Sequence, residues 1–240
     1  SDEQIMDGAR QAQAAGVSHF GIVYSGKSVS EDELRRLEKL VKLIRKEVGI
    51  SVCAGLGIIT AEQAHRLASA GVARYNHNLE TSERYFGEIV TTHAFADRVS
   101  TIKAAKDAGM GICAGGIFGI GETEDDRVSM AMELRGLGAD TIPMNFLHRI
   151  PGTPLADTTP LQPREILRII ALYRFLLPAA GLKVAGGRVL NLRDMQSWIF
   201  YAGATSILSG NYLTTAGRGV AEDMQMIRDC GLTPVKDGGA

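Results

Sequence analysis

Eight times along the chain a helix-like stretch runs into a glycine, and a short β-prone run follows all but the last. The glycines are Gly16, Gly49, Gly71, Gly109, Gly138, Gly181, Gly203 and Gly231. The residue just past a helix often takes a left-handed backbone, which glycine adopts without steric penalty. The first seven glycines precede runs that read as strands, at 19–24, 50–56, 72–79, 110–118, 140–148, 182–188 and 205–209. Helix starts are marked as well. Ser30 with Glu33, and Thr60 with Gln63, have capping-box spacing. A helix over 31–48 puts Leu34, Leu37, Val41, Ile44 and Val48 on one face. Pro160 and Pro163 open another, running to about residue 180.

Alternating helices and strands predict an α/β fold with a parallel sheet under helical cover. A TIM-type (β/α)8 barrel needs eight strands. The chain offers eight helices but seven strands and starts on a helix, so the expected fold is a (β/α)8 barrel whose first strand lies upstream of Ser1. An open doubly wound sheet would need no eighth strand, but the repeat is regular and no dinucleotide fingerprint occurs. No low-complexity linker interrupts the 240 residues, so one domain over 1–240 is expected.

Composition narrows the function. With 45% hydrophobic and 22% charged residues the chain can build a large core. A formal net charge of −1 and the lack of a basic run argue against nucleic-acid or membrane-surface partners. No apolar run reaches the ~18 residues of a membrane span. The acidic start, Ser1-Asp2-Glu3-Gln4, has no signal-peptide pattern. Three widely spaced cysteines do not form a disulfide framework, which points to a reducing, cytoplasmic setting.

The strands are unusual for a packed barrel, whose interior is normally Val, Ile and Leu. Side chains alternate across a strand. One parity of 50–56 carries Ser51, Cys53 and Gly55; one parity of 72–79 carries Arg74, Asn76 and Asn78, with Glu80 beyond. Gly111, Cys113, Gly115 and Ile117 share a face, as do Thr141 and Asn145. Four strands with one small or polar face each predict a ligand cavity inside the barrel.

Several segments carry chemistry. Gly115 to Glu122, GGIFGIGE, ends a strand and opens a helix; its glycines admit close approach, and Thr123 with the next helix's amides makes an anion site. Tyr75 to Glu80, YNHNLE, offers amides and a carboxylate suited to a ribose or a cyclic urea, with His77 on the opposite parity and packed outward. Cys53 and Cys113, on inner faces of two strands, could hold an iron–sulfur cluster, although two buried cysteines are more often inert core residues. Arg188 after Gly186-Gly187, Arg98 early in a helix, and Thr214-Thr215 after the last strand are candidate contacts for anions. Cys230 receives no role.

Together these segments resemble the biotin synthase family of radical S-adenosylmethionine enzymes. The similarity runs from about Asp2 to about Pro234 and is carried by YNHNLE, CAGGIFGIGET, PGTPLAD, AGGR and YLTT. It implies a barrel fold, a homodimer, and an electron donor such as flavodoxin or ferredoxin. The implied reaction cleaves S-adenosylmethionine at a 4Fe–4S cluster. The radical then takes hydrogen from dethiobiotin, and an auxiliary iron–sulfur cluster (2Fe–2S or a variant) supplies the sulfur of biotin. The similarity assigns Asn78 and Glu80 to the ribose, where many relatives have aspartate in place of Glu80. It assigns Arg98 to the methionyl carboxylate, Ile117 to adenine and the His148 backbone to adenine's edge. Asn76, Asn78 and Asn145 match the ureido site, Thr214 and Thr215 the substrate's carboxylate tail. Cys53, Cys113 and Arg188 match auxiliary-cluster ligands. No residue is assigned as catalytic.

Two departures stand out. The family's CxxxCxxC triplet is absent, as is the strand that carries it, so truncation explains both and the 240 residues as they stand are not expected to make the radical. Gly21 also occupies the position of the family's third auxiliary cysteine, which favours a variant cluster. Rival expectations are a methylornithine synthase-like or hydrogenase maturase-like enzyme on the same barrel, or a degenerate barrel that only binds. A Schiff-base aldolase would need a lysine at a strand's C-terminal end, and Lys183 lies at a strand's start.

Overall fold

The computed structural model describes residues 1–210 and 217–234. They form two compact units: Ser1–His77 with Ala96–Cys113, and Asn78–Phe95 with Ala114–Pro234. Among the described residues no helix is long and apolar enough to cross a membrane.

In the first unit, α1 (Asp2–Ala14), α2 (Glu31–Glu47), α3 (Ala61–Ala70) and α5 (Phe95–Asp107) accompany β1 (His19–Val23), β2 (Ser51–Gly55), β3 (Val72–Asn76) and β4 (Gly111–Cys113). The strands pair in that order, all parallel. Ser30–Glu33 and Thr60–Gln63 close their capping boxes. The expected apolar face of α2 is buried: Leu34, Leu37, Val41 and Ile44 are inside, joined by Leu40, with Val48 at the cap. Each such side chain contributes roughly 1.5–3 kcal/mol when fully removed from water. On the strands, Val52, Ala54, Tyr75 and Ile112 are almost fully buried. Tyr75 also fixes the turn after β2, donating to Gly57 O at 2.7 Å and accepting from Leu56 N at 3.2 Å.

The second unit holds α4 (Glu83–Ile89), β5 (Gly116–Phe118), α6 (Glu124–Leu137), β6 (Thr141–Phe146), α7 (Pro163–Leu176), β7 (Gly181–Val184), α8 (Arg188–Leu192), a 3-10 turn, α9 (Trp198–Ala202), β8 (Ser206–Ile207) and α10 (Val220–Asp229). Strands β5 to β8 pair in sequence order and are parallel. Tyr173 on α7 stands edge-on to Phe118 and donates to Arg127 O at 2.8 Å.

Several sequence expectations need correction. The run 110–118 is two short strands separated by Ala114-Gly115. The strand expected to reach residue 188 stops at Val184, and Arg188 instead begins α8. Seven of the eight glycines have positive φ, but Gly181 does not. Helix α7 ends earlier, at Leu176, where Leu177-Pro178 halts it, and Gly181 starts β7. Two short helices, α4 and α8, were not anticipated.

Asp126 ties α4 to α6. It accepts from Ser82 Oγ at 2.5 Å, from Thr123 N at 2.8 Å, and from Arg84. Burial alone raises its pKa, but the hydrogen bonds from Ser82, Thr123 and Arg84 outweigh that and hold the carboxyl well below the usual range. A depressed folded-state pKa stabilises the fold above the unfolded value, about 3.9, and that contribution disappears as pH falls through the folded value. Asp126→Asn is therefore expected to lower stability at pH 7 by roughly 1–3 kcal/mol. It should also flatten the loss of stability below about pH 4, as read from urea unfolding at stepped pH.

Candidate functional site

In the first unit the two cysteines lie on one face of the sheet. Gly21 is level with Cys53, Cys53 with Arg74, and Arg74 with Gly111. One step further along the strands, Val23 is level with Gly55, and Asn76 with Cys113. Register partners share a face, as do residues two apart. Cys53 and Cys113 thus point the same way, two strand spacings apart, about 10 Å, and one side-chain step offset. Both are buried. Arg74 and Asn76, between them, are half-buried.

This alignment depends on an irregularity. Val52 pairs with Val72, but the next residue, Cys53, pairs with Arg74. Ala73 is the extra residue, and such a bulge re-aims the side chains beyond it. Strict alternation from buried Val72 would have turned Arg74 and Asn76 away from the cysteine face.

Two thiols on a common face among polar neighbours fit a shared iron–sulfur cluster as two of its ligands. Gly21 supplies none, although a Cβ added there meets no atom within 4 Å. The CxxxCxxC triplet is absent from the 240 residues, so no residue of this chain is assigned to the radical-generating cluster. Arg98 sits half-buried in the first turn of α5.

The second unit gathers the other candidates around β5 and β6. Asn78 Oδ1 accepts from Gly115 N at 3.2 Å, and Asn78 Nδ2 donates to Glu80 Oε2 at 3.4 Å. Glu80 has φ +71 and bridges to Gly116, while its carbonyl accepts from Ile117 N at 2.8 Å. Ile117 is level with Asn145 and shares its face. Asn145 is buried and clamps two strands: its Nδ2 donates to Gly116 O at 3.2 Å and its Oδ1 accepts from Gly186 N at 3.0 Å. His77, in the first unit, is buried.

The glycine-rich turn serves the protein itself. A Cβ on Gly115 would collide with the Pro143 carbonyl, and one on Gly116 with the Glu80 carbonyl and Met130. The anion site expected beside Thr123 is filled from within. Glu122 accepts from Gly119 N at 2.9 Å and Ile120 N at 2.8 Å and pairs with Arg127 at 2.8 Å, while Thr123 caps α6.

His148 and Arg188 line an open cavity of about 240 Å³ at the C-terminal ends of β6, β7 and β8, along with Gly186, Leu208, Gly210 and Arg218. Arg188 is buried; it donates to Asp223 Oδ2 at 2.6 Å, to Gln196 Oε1 at 2.8 Å and to Leu208 O at 3.5 Å. Asp223 is equally buried. Sequence reading missed Asp223 and Arg218. Asp223 is 35 residues from its partner, and nothing local marks the pairing. Thr214 and Thr215 lie outside the described residues.

The Radical SAM superfamily model matches residues 1–134, and the Biotin and Thiamin Synthesis associated domain model matches 143–233. A biotin synthase from Heliobacterium modesticaldum is 50% identical over 96% of this chain and 71% of its own length. One from Geobacter sulfurreducens is 48% identical over 97% and 71%. The crystal structure of a methylornithine synthase superposes with a TM-score of 0.82 at 18% identity, covering 97% of this chain and 73% of that one, and so shares the fold. Two family models that together span most of the chain, and about half-identity over 96–97% of it to curated biotin synthases, lead to one assignment: the chain belongs to the biotin synthase family.

Proposed function

We propose that this chain is the barrel of an enzyme that inserts sulfur into dethiobiotin to form biotin, read as one domain over 1–240. The observation that carries the reading is the placement of Cys53 and Cys113 on one face of β2 and β4, flanked by Arg74 and Asn76. When bound, S-adenosylmethionine with its 4Fe–4S cluster supplies the hydrogen-abstracting radical, and the auxiliary iron–sulfur cluster supplies the sulfur.

The protein's own part is binding and orientation. Asn78 and Glu80 hold the ribose diol; their mutual hydrogen bond pre-sets both side chains. Ile117 packs on adenine while its N–H stays committed to the Glu80 carbonyl, and the His148 backbone meets adenine's edge. Arg98 receives the methionyl carboxylate in a bidentate grip. Asn76, Asn78 and Asn145 face the ureido ring; the clamp on Gly116 and Gly186 fixes Asn145 in one rotamer. Thr214 and Thr215 take the carboxylate tail. Cys53 and Cys113 ligate the auxiliary cluster, with Arg188 as a further contact held by Asp223.

Gly21 makes this cluster a variant of the three-cysteine type. An exchangeable or non-cysteine ligand would occupy the open space beside Cys53. The enzyme acts as a cytoplasmic homodimer and draws electrons from a flavodoxin or ferredoxin. Gly21 also favours one second reading, a methylornithine synthase-like reaction on the same barrel. Protein expressed from its complete gene, reduced and supplied with S-adenosylmethionine, is expected to form biotin and 5′-deoxyadenosine from dethiobiotin. Formation of methylornithine with no biotin from dethiobiotin would replace the first reading with the second.

A further inference from the structure

We infer that Arg74 is the counter-cation of the auxiliary cluster: its guanidinium donates to the cluster's sulfur atoms, balances their negative charge and so raises the reduction potential. The inference rests on the reading that Cys53 and Cys113 ligate that cluster.

Three observations carry it. First, register places the side chain. Arg74 is level with Cys53 on β2 and with Gly111 on β4, and Cys113 stands two residues beyond Gly111. Arg74 therefore leaves the sheet on the cysteine face, on the strand between the two that carry the thiols, about 4.8 Å from each. Second, nothing in these strands answers its charge. Strands β1 to β4 contain no Asp or Glu, and Arg74 is their only Arg or Lys. Among the described residues no carboxylate pairs with Arg74, and its Nε is shielded from water without a hydrogen-bond partner. A shielded donor left unpaired is costly, more so on a charged group, so an anionic acceptor from outside the polypeptide completes this one. Third, the row has room. Gly21 and Gly111 lie at its two ends, and a Cβ added at Gly21 meets no atom within 4 Å. Thiolate and sulfide are anionic acceptors, and each electron taken up adds a further negative charge. Net charge and hydrogen bonds to sulfur set the potential of such a cluster. A guanidinium, always charged and with several donors in a fixed plane, serves both.

The test is a mediated redox titration of protein expressed from its complete gene, followed by electron paramagnetic resonance and Mössbauer spectroscopy. The auxiliary signal is the one that Cys53→Ala/Cys113→Ala lacks. Arg74→Met is expected to hold iron and sulfide at wild-type levels and to disfavour the reduced auxiliary cluster roughly tenfold or more, a fall in midpoint of about 59 mV for each tenfold in a one-electron step. Arg74→Lys should recover most of that fall, because it keeps the charge though not the planar fork. A packing role alone would change the melting temperature and leave the midpoint where it is. An unchanged midpoint in Arg74→Met, or a fall as large in Arg74→Lys, would overturn the inference. If Arg74→Met does not fold, Arg74→Gln, polar but neutral, takes its place, and an unchanged midpoint there overturns it equally. Iron–sulfur signals that all survive Cys53→Ala/Cys113→Ala would remove the underlying reading. A cluster that needs both cysteines and is indifferent to Arg74 removes this inference alone.

Discussion

Replacing Cys53 and Cys113 together by alanine is expected to remove the auxiliary iron–sulfur signal and with it biotin formation, while the fold survives. Both side chains are small and buried, so trimming each thiol should destabilise by about 1 kcal/mol, close to one buried methylene. The effect on the cluster is far larger, because a thiolate ligand has no substitute in alanine and the two strands supply one thiol each. Iron and sulfide analysis with Mössbauer spectroscopy on protein from the complete gene reads the difference directly. An unchanged auxiliary spectrum in the double variant would remove Cys53 and Cys113 from the ligand set. The radical-generating cluster should persist, since none of its ligands is assigned here. The same samples should still form 5′-deoxyadenosine, uncoupled from biotin.

Asp223→Ala is the second large effect. Arg188 is buried, and Asp223 is its counter-charge at 2.6 Å. Removing the carboxylate leaves a guanidinium out of water with Gln196 and a carbonyl for company, a loss of about 3–5 kcal/mol. For a chain of this length that should lower the melting temperature by roughly 10 °C. The double variant Arg188→Met/Asp223→Leu is expected to regain most of the stability, since replacing both ions of a buried pair by apolar groups is often neutral. It should not regain function, because Arg188 is gone. Full stability in Asp223→Ala would show that the pair is spread to solvent rather than buried.

Much of the architecture was legible because helix punctuation is local. Capping boxes at Ser30 and Thr60 and positive-φ glycines after α1, α2, α3, α5, α6, α9 and α10 mark element ends within a few residues. Gly181 misled because a proline two residues past Leu176 had already ended α7. Helices α4 and α8, of seven and five residues, are too short to show a helical period. The polar faces of β2 and β3 could be read by alternation, but their alignment could not. It depends on the extra residue Ala73, and a bulge is a property of pairing between strands. The anion site at Thr123 failed for a related reason: Glu122, adjacent in sequence, folds back onto Gly119 and Ile120. Asp223 was invisible because its meaning lies in a residue on another element.

The central claim is that this barrel makes biotin from dethiobiotin. Growth of a biotin auxotroph that lacks its own enzyme for this step, carries the complete gene and is fed dethiobiotin tests it most directly. The account expects growth with the wild-type gene and none with the Cys53→Ala/Cys113→Ala gene, at equal protein levels. No growth with abundant, folded, cluster-loaded wild-type protein would contradict it.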